Sequence, residues 1–157
     1  MPREYRRKPR RPGAKLLGLD LGERRVGVAV SDDTGVIASP LKIVDLKRQS
    51  LEDVASLASE LFVDGIVIGL PRGMRGDEGY QARETRSMAA QIEAFVSVPI
   101  IFWDERLTSA IADRVLAAHG KSSRARRGER DAIAAAVMLQ SYLDAHPLPD
   151  RRPSAGE

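Results

Sequence analysis

Apolar positions along the chain follow two periods in turn. In residues 15–21 (KLLGLDL), Leu17, Leu19 and Leu21 alternate with Leu16, Gly18 and Asp20, the period of two that a β-strand imposes. RVGVAVSD (25–32) and VIASPLKIV (36–44) carry the same signature, parted by the turn residues Asp32, Asp33, Thr34 and Gly35. Three short strands with tight links predict an antiparallel meander. The period then changes. Leu51, Val54, Ala55, Leu57, Ala58 and Leu61 recur at helical spacing, with Ser50 placed to cap the first turn. DGIVIGL (64–70) is a wholly apolar strand of the kind buried on both faces of a parallel sheet. PRGMRGDEG (71–79), glycine-rich and charged, predicts a loop. A helix over about 80–96 then leads to a buried strand, VPIIFW (98–103). A further helix opens at Thr108 or Ser109 and ends at His119–Gly120, where glycine suits the left-handed cap. The last helix covers about 129–144 and is stopped by Pro147 and Pro149. The order βββαβαβαα predicts an α/β fold: a five-stranded mixed sheet, meander first and parallel strands second, flanked by helices.

Composition narrows the chemistry. At 157 residues the chain has the length of one domain. Cysteine is absent, which excludes disulfides, thiolate metal sites and a cysteine nucleophile. With only His119 and His146, the usual ligands of zinc are lacking. No apolar run approaches the roughly 20 residues that span a bilayer, so no membrane partner is expected. MPREYRRKPRRPGA has no apolar h-region of a secretory signal, so a cytoplasmic protein is expected.

The net charge of +3 is unevenly spread. Residues 1–15 carry seven basic side chains against one acid, so the remainder is net negative. The expected organisation is a disordered basic tail (1–14), a domain (15–145) and a disordered C-terminal tail (146–157). The basic tail could grip phosphates by releasing counterions, or serve only to solubilise. A second basic cluster, KSSRARRGER (121–130), lies between two predicted helices.

One acid is out of place. Asp20 interrupts an apolar strand, and burying an unpartnered carboxylate costs several kcal/mol. Gly18 and Gly22 flank it on the same face and suggest an open floor where a ligand approaches the backbone. The plainer alternative is a salt bridge to Arg24 or Arg25. In WDERLTS (103–109), Asp104 and Glu105 follow a parallel strand at its carboxyl end, where open α/β sheets bind ligands. Only one of two consecutive residues can face as Asp20 does. Glu105 shares a face with Ile101 and Trp103 and is the choice; Asp104 is assigned to helix entry or backbone tethering. Asp131, in GERDAIAAAVMLQSYL, sits in the first turn of a helix, where a carboxylate also complements the dipole. The small residues after it would let that helix lie close to a sheet and bring the acid to the strand ends. Three oxygen ligands without sulfur or imidazole call for a hard cation, Mg2+ or Mn2+, of the kind that supports in-line phosphoryl chemistry. Without metal, clustered carboxylates should repel and at least one pKa should rise.

GLDLGERRVGVAVSD, GLPRGMRGDEG, WDERLTS and RRGERDAIAAAVMLQSYLD, in this order and spacing, resemble the YqgF/RuvX family over residues 15 to about 145. The family comprises small bacterial nucleases of the ribonuclease-H-like superfamily. The resemblance implies a ribonuclease-H-like fold, a homodimer and divalent-metal-dependent phosphodiester cleavage. Its three acids fall on Asp20, Glu105 and Asp131, which become the expected catalytic and metal-binding residues. It also implies a nucleic-acid substrate, either a four-way Holliday junction or the 5′ end of precursor 16S rRNA. Two positions depart from the family pattern. A loop that often reads GLPRNMDG has Gly73 and Arg75 here, and Glu23 stands where a hydroxyl residue is common.

The remaining candidates bind phosphate. Arg72 and Arg75 would steer or clamp the scissile strand, or else are solvated loop charges. Lys121, Arg124, Arg126 and Arg127 would hold flanking phosphates. Tyr80 could stack a base, although packing is its plainer role. Two other classes stay open: a nucleic-acid-binding module without catalysis, and an actin-like nucleotide-binding domain, whose opening motif GLDLG resembles.

Overall fold

The structure, a computed structural model, describes residues 14–73, 75–108 and 129–147. The expected helix lies outside the described residues beyond Thr108, as do residues 121–128 of the basic cluster, residues 1–13 and residues 148–157.

Strands β1 (Leu16–Leu21), β2 (Arg25–Ser31) and β3 (Ala38–Asp45) form the meander. Helix α1 (Leu51–Glu60), β4 (Gly65–Leu70), α2 (Tyr80–Glu93) and β5 (Ile100–Asp104) follow. A 3-10 turn (Glu105–Thr108) succeeds β5, and α3 (Glu129–Ala145) comes last among the described elements. The sheet order is β3-β2-β1-β4-β5. β1 pairs antiparallel with β2 and parallel with β4, so the strand carrying Asp20 is central. β5 runs parallel to β4. This is the five-stranded mixed sheet that the pattern predicts.

Alternation along β1 separates two cores. Leu17 and Leu19 pack with Val54, Leu57, Met88 and Ile92 of α1 and α2. Leu16, on the other face, packs with Ala135, Leu139 and Leu143 of α3. Each fully buried leucine contributes on the order of 1.5–3 kcal/mol, which is why the period of two fixes the register. Ser50 caps α1 as expected: its Oγ accepts from the Asp53 amide while Asp53 accepts from the Ser50 amide at 2.8 Å. α2 ends at Glu93, three residues before the predicted stop. β3 starts at Ala38 rather than 36, because the Asp32 carboxylate takes the amides of Val36 and Ile37. Pro40 is tolerated since β3 is an edge strand with a register shift at that point.

An aromatic seam ties β5 to α3. The Trp103 indole N–H donates to Ser141 Oγ at 3.0 Å, and its ring meets Tyr142 edge-on at 5.4 Å. His146, placed in the tail by its sequence position, stacks on Tyr142 at 4.2 Å. Ala14 is likewise buried in the α3-side core.

Candidate active site

Two glycines explain how residues distant in sequence converge. Gly27 of β2 lies directly across from Asp20. A Cβ at Gly27 would fall 1.9 Å from the Asp131 carbonyl oxygen, so the bare backbone is where the first turn of α3 touches the sheet. Gly69 of β4 does the same for Glu105. β4 separates β1 from β5, and a Cβ at Gly69 would lie 2.7 Å from Glu105 Oε1. With no side chain in the way, Glu105 crosses that strand and hydrogen-bonds Asp20.

The electrostatics follow from this contact. Burial, then the Asp20 charge and the hydrogen bond to it, push the Glu105 carboxyl up to about 7. Asp20 is raised too, by burial first and by the charge of Asp131 second, while the hydrogen bond from Glu105 opposes the rise. The same hydrogen bond raises Glu105 and lowers Asp20, the sense expected when Glu105 is the donor. The expected repulsion among clustered acids is present, and a proton offsets it.

Asp131 has another partner. Its Oδ2 lies 3.2 Å from Arg25 Nε in a pair whose side chains are 33 and 52 % exposed. The salt bridge weighed for Asp20 is thus made by Asp131. Among the described residues, no group of three His, Asp or Glu side chains stands arranged to hold an ion. The hard-oxygen donor set fits a divalent cation at Asp20 and Glu105, where a cation would replace that proton.

A cleft of about 280 Å³ opens beside the acid pair, lined by Asp20, Glu23, Tyr80, Glu84 and Glu105 among others. Tyr80 is 61 % exposed at this cleft, which corrects the packing role. Its hydroxyl is bonded to Glu84, whose charge foremost raises the phenol pKa. Glu23, one of the two departures, lines the same cleft.

The open-floor reading of Gly18 and Gly22 is corrected. Leu139 of α3 fills the space at Gly18, with its Cβ 2.9 Å from where a side chain would start. At Gly22 the Arg25 carbonyl lies 2.7 Å from that point and accepts the Gly22 amide, closing the hairpin. Gly27 and Gly69, which sequence reasoning passed over, do the positioning instead. Their signal is a glycine where strand alternation calls for a side chain. Asp104 is the tethering acid: it accepts from the Arg106 amide at 2.9 Å and from its guanidinium at 2.6 Å.

The loop after β4 is organised by its own charges. Glu78 accepts two hydrogen bonds from Arg86, at 2.6 and 2.9 Å, and lies 3.6 Å from Arg72. Arg86 in turn covers the Phe102 ring at 4.7 Å. Arg72 is thereby held at the strand end, and Arg75 is exposed on the same loop. Lys121, Arg124, Arg126 and Arg127 lie outside the described residues.

A central acid-bearing strand in a 3-2-1-4-5 mixed sheet, with helices on both faces, defines a ribonuclease-H-like α/β fold. Residues 14–145 match the family described as "RuvX: Holliday junction resolvase", and the chain belongs to that family. A protein of Syntrophus aciditrophicus named "Putative pre-16S rRNA nuclease" is 43% identical over 133 residues, covering 83% of this chain and 89% of its own. One of the same name from Geobacillus kaustophilus is 40% identical over 134 residues, covering 83% and 97%. Among solved structures, Thermus thermophilus RuvC in complex with a Holliday junction superposes with a TM-score of 0.58 at 15% identity, over 86% of this chain and 98% of that one. The fowlpox virus resolvase bound to junction DNA gives 0.53 at 11% identity, over 83% and 97%. At such identities the likeness concerns the fold.

Proposed function

We propose that this protein is a divalent-metal-dependent endonuclease acting on structured nucleic acid, as a Holliday junction resolvase, as a nuclease processing the 5′ end of pre-16S rRNA, or as both. The observation that carries the reading is the contact between the Asp20 and Glu105 carboxyls beside an open cleft, at the carboxyl ends of parallel strands. The names of the family and of its relatives support nuclease chemistry.

Asp20, Glu105 and Asp131 would hold Mg2+ or Mn2+, with Asp131 contributed from α3. When bound, such an ion activates water and stabilises the leaving oxygen of a phosphodiester. The residues of the chain do the rest. Glu105 releases its proton on loading. Arg72, kept at the strand end by Glu78, and Arg75 clamp the scissile strand through phosphate oxygens. Lys121, Arg124, Arg126 and Arg127 hold flanking phosphates, which positions substrate without reading sequence. A homodimer would present two such sites, as paired cuts across a four-way junction require. Substrates of either kind would place the protein in the cytoplasm. No helix among the described residues is long and apolar enough to cross a membrane.

Side-by-side cleavage of a labelled four-way junction, matched linear duplexes and a 16S precursor, with Mg2+ and with Mn2+, tests it. Asp20→Asn and Asp131→Asn should each lose cleavage by orders of magnitude while substrate binding persists. Full activity in either variant would remove the catalytic reading, and equal cutting of all three substrates would remove the specificity.

A further inference from the structure

We propose that Arg25 is a positioning residue that keeps Asp131 off the Asp20–Glu105 pair until a substrate phosphate claims its guanidinium. The inference rests on the nuclease reading and adds to it an order of assembly.

Strand geometry sets Arg25 where this can happen. It lies two residues from Gly27 on β2, hence on the same face, and Gly27 is where Asp131 meets the sheet. Its main chain is fixed on both sides. Its carbonyl accepts the Gly22 amide at 3.0 Å, and the neighbouring Arg24 carbonyl accepts from Leu46 at 2.8 Å. Only the side chain is left to move.

The ion pairs around the site differ in how firmly they are made. Glu78–Arg86 and Asp104–Arg106 each engage two or more hydrogen bonds, the shortest at 2.6 Å. Arg25–Asp131 is an ion pair whose nearest approach is Nε to Oδ2 at 3.2 Å, more than half exposed on the arginine side. Among the described residues the Arg25 side chain makes this ion pair without a hydrogen bond of good geometry, and its guanidinium carries the nitrogens with which arginine grips phosphate. An exposed pair of this kind contributes roughly 0.2–1 kcal/mol, little enough for a phosphate to displace. The acid is then free for the cation, whose charge offsets the repulsion that Asp131 adds at Asp20. Coupling of this sort is reciprocal: nucleic acid raises cation affinity and the cation raises nucleic-acid affinity.

The test is Mn2+ binding, followed by the electron paramagnetic resonance of free Mn2+, with no turnover involved. Without nucleic acid, Arg25→Gln should bind Mn2+ roughly two- to fivefold tighter than wild type, the size of an exposed ion pair. The gain should vanish on an Asp131→Asn background. Arg24→Gln removes the same charge one residue away and should give a smaller gain that survives Asp131→Asn. Arg25→Lys, which keeps the charge but not the fork, should fall between wild type and Arg25→Gln. Damage to the fold would weaken Mn2+ binding, so a gain separates the proposal from a structural role. Added four-way DNA junction should bring the wild type to the Arg25→Gln affinity. If Asp20→Asn abolishes Mn2+ binding while Arg25→Gln and junction leave it unchanged, Arg25 has no such role and the nuclease reading stands. If wild type, Asp20→Asn and Arg25→Gln all fail to bind Mn2+, both are wrong.

Discussion

Burial and the neighbouring Asp20 carboxylate push the Glu105 carboxyl up to about 7, and this should give the free protein a measurable pH dependence. A carboxyl raised from 4.5 to about 7 on folding stabilises the fold fully below the unfolded value, and that contribution is lost as pH rises through about 7. Asp20, raised as well, acts in the same direction. In chelator, the melting temperature should therefore fall between about pH 5 and pH 7.5. Glu105→Gln keeps a neutral donor toward Asp20 and should flatten that fall, as thermal melts across the window would report. A wild-type curve already flat there would mean that the acids do not touch. The same loss of a proton should make cation affinity rise with pH through about 7, read by calorimetry.

Helix α3 reaches the sheet through absent side chains, so its placement is sensitive to single methyl groups. Gly27→Ala would set a methyl against backbone at 1.9 Å, which α3 can relieve only by lifting its first turn. We expect a loss of about 2–4 kcal/mol in urea unfolding, together with weaker Mn2+ affinity as Asp131 recedes. Gly65→Ala meets the end of the Leu16 side chain at 3.1 Å and should cost well under half as much. The elements themselves were legible in the sequence. Period-two alternation places β1 and its two faces, and the AIAAA run marks a helix that packs closely. What could not be read was cross-strand partnership. Gly18 looks the same as Gly27 in a linear string, yet one accommodates Leu139 and the other the backbone of Asp131. Likewise Arg25 could be paired with Asp20 on proximity alone, and only the fold assigns it to Asp131. Of the three acids singled out because each conflicts with its local setting or matches the family pattern, the structure brings Asp20 and Glu105 together and sets Asp131 on Arg25.

At the scale of the whole molecule, charge is divided between a basic N-terminus and a net negative remainder. On the nuclease reading, long-range attraction of nucleic acid would fall to the first segment and the local chemistry to the second. Truncation after residue 13 keeps the buried Ala14 and should leave the melting temperature unchanged. The truncated protein should bind a junction more weakly and with a shallower dependence on salt, the slope falling by about 0.9 for each phosphate the tail no longer neutralises. Cleavage of bound substrate should be unaffected. Anisotropy titrations at several salt concentrations measure the slope, and single-turnover rates measure the second quantity. An unaltered slope would assign the tail to solubility alone.

Trp103, the single tryptophan of the chain, is two residues from Glu105 and hydrogen-bonded to the helix that bears Asp131. The molecule thus contains its own fluorophore at the joint between strand and helix. A shift in its emission on adding Mg2+, present in the intact protein and missing in Asp131→Asn, would track closure of that joint in solution without any label.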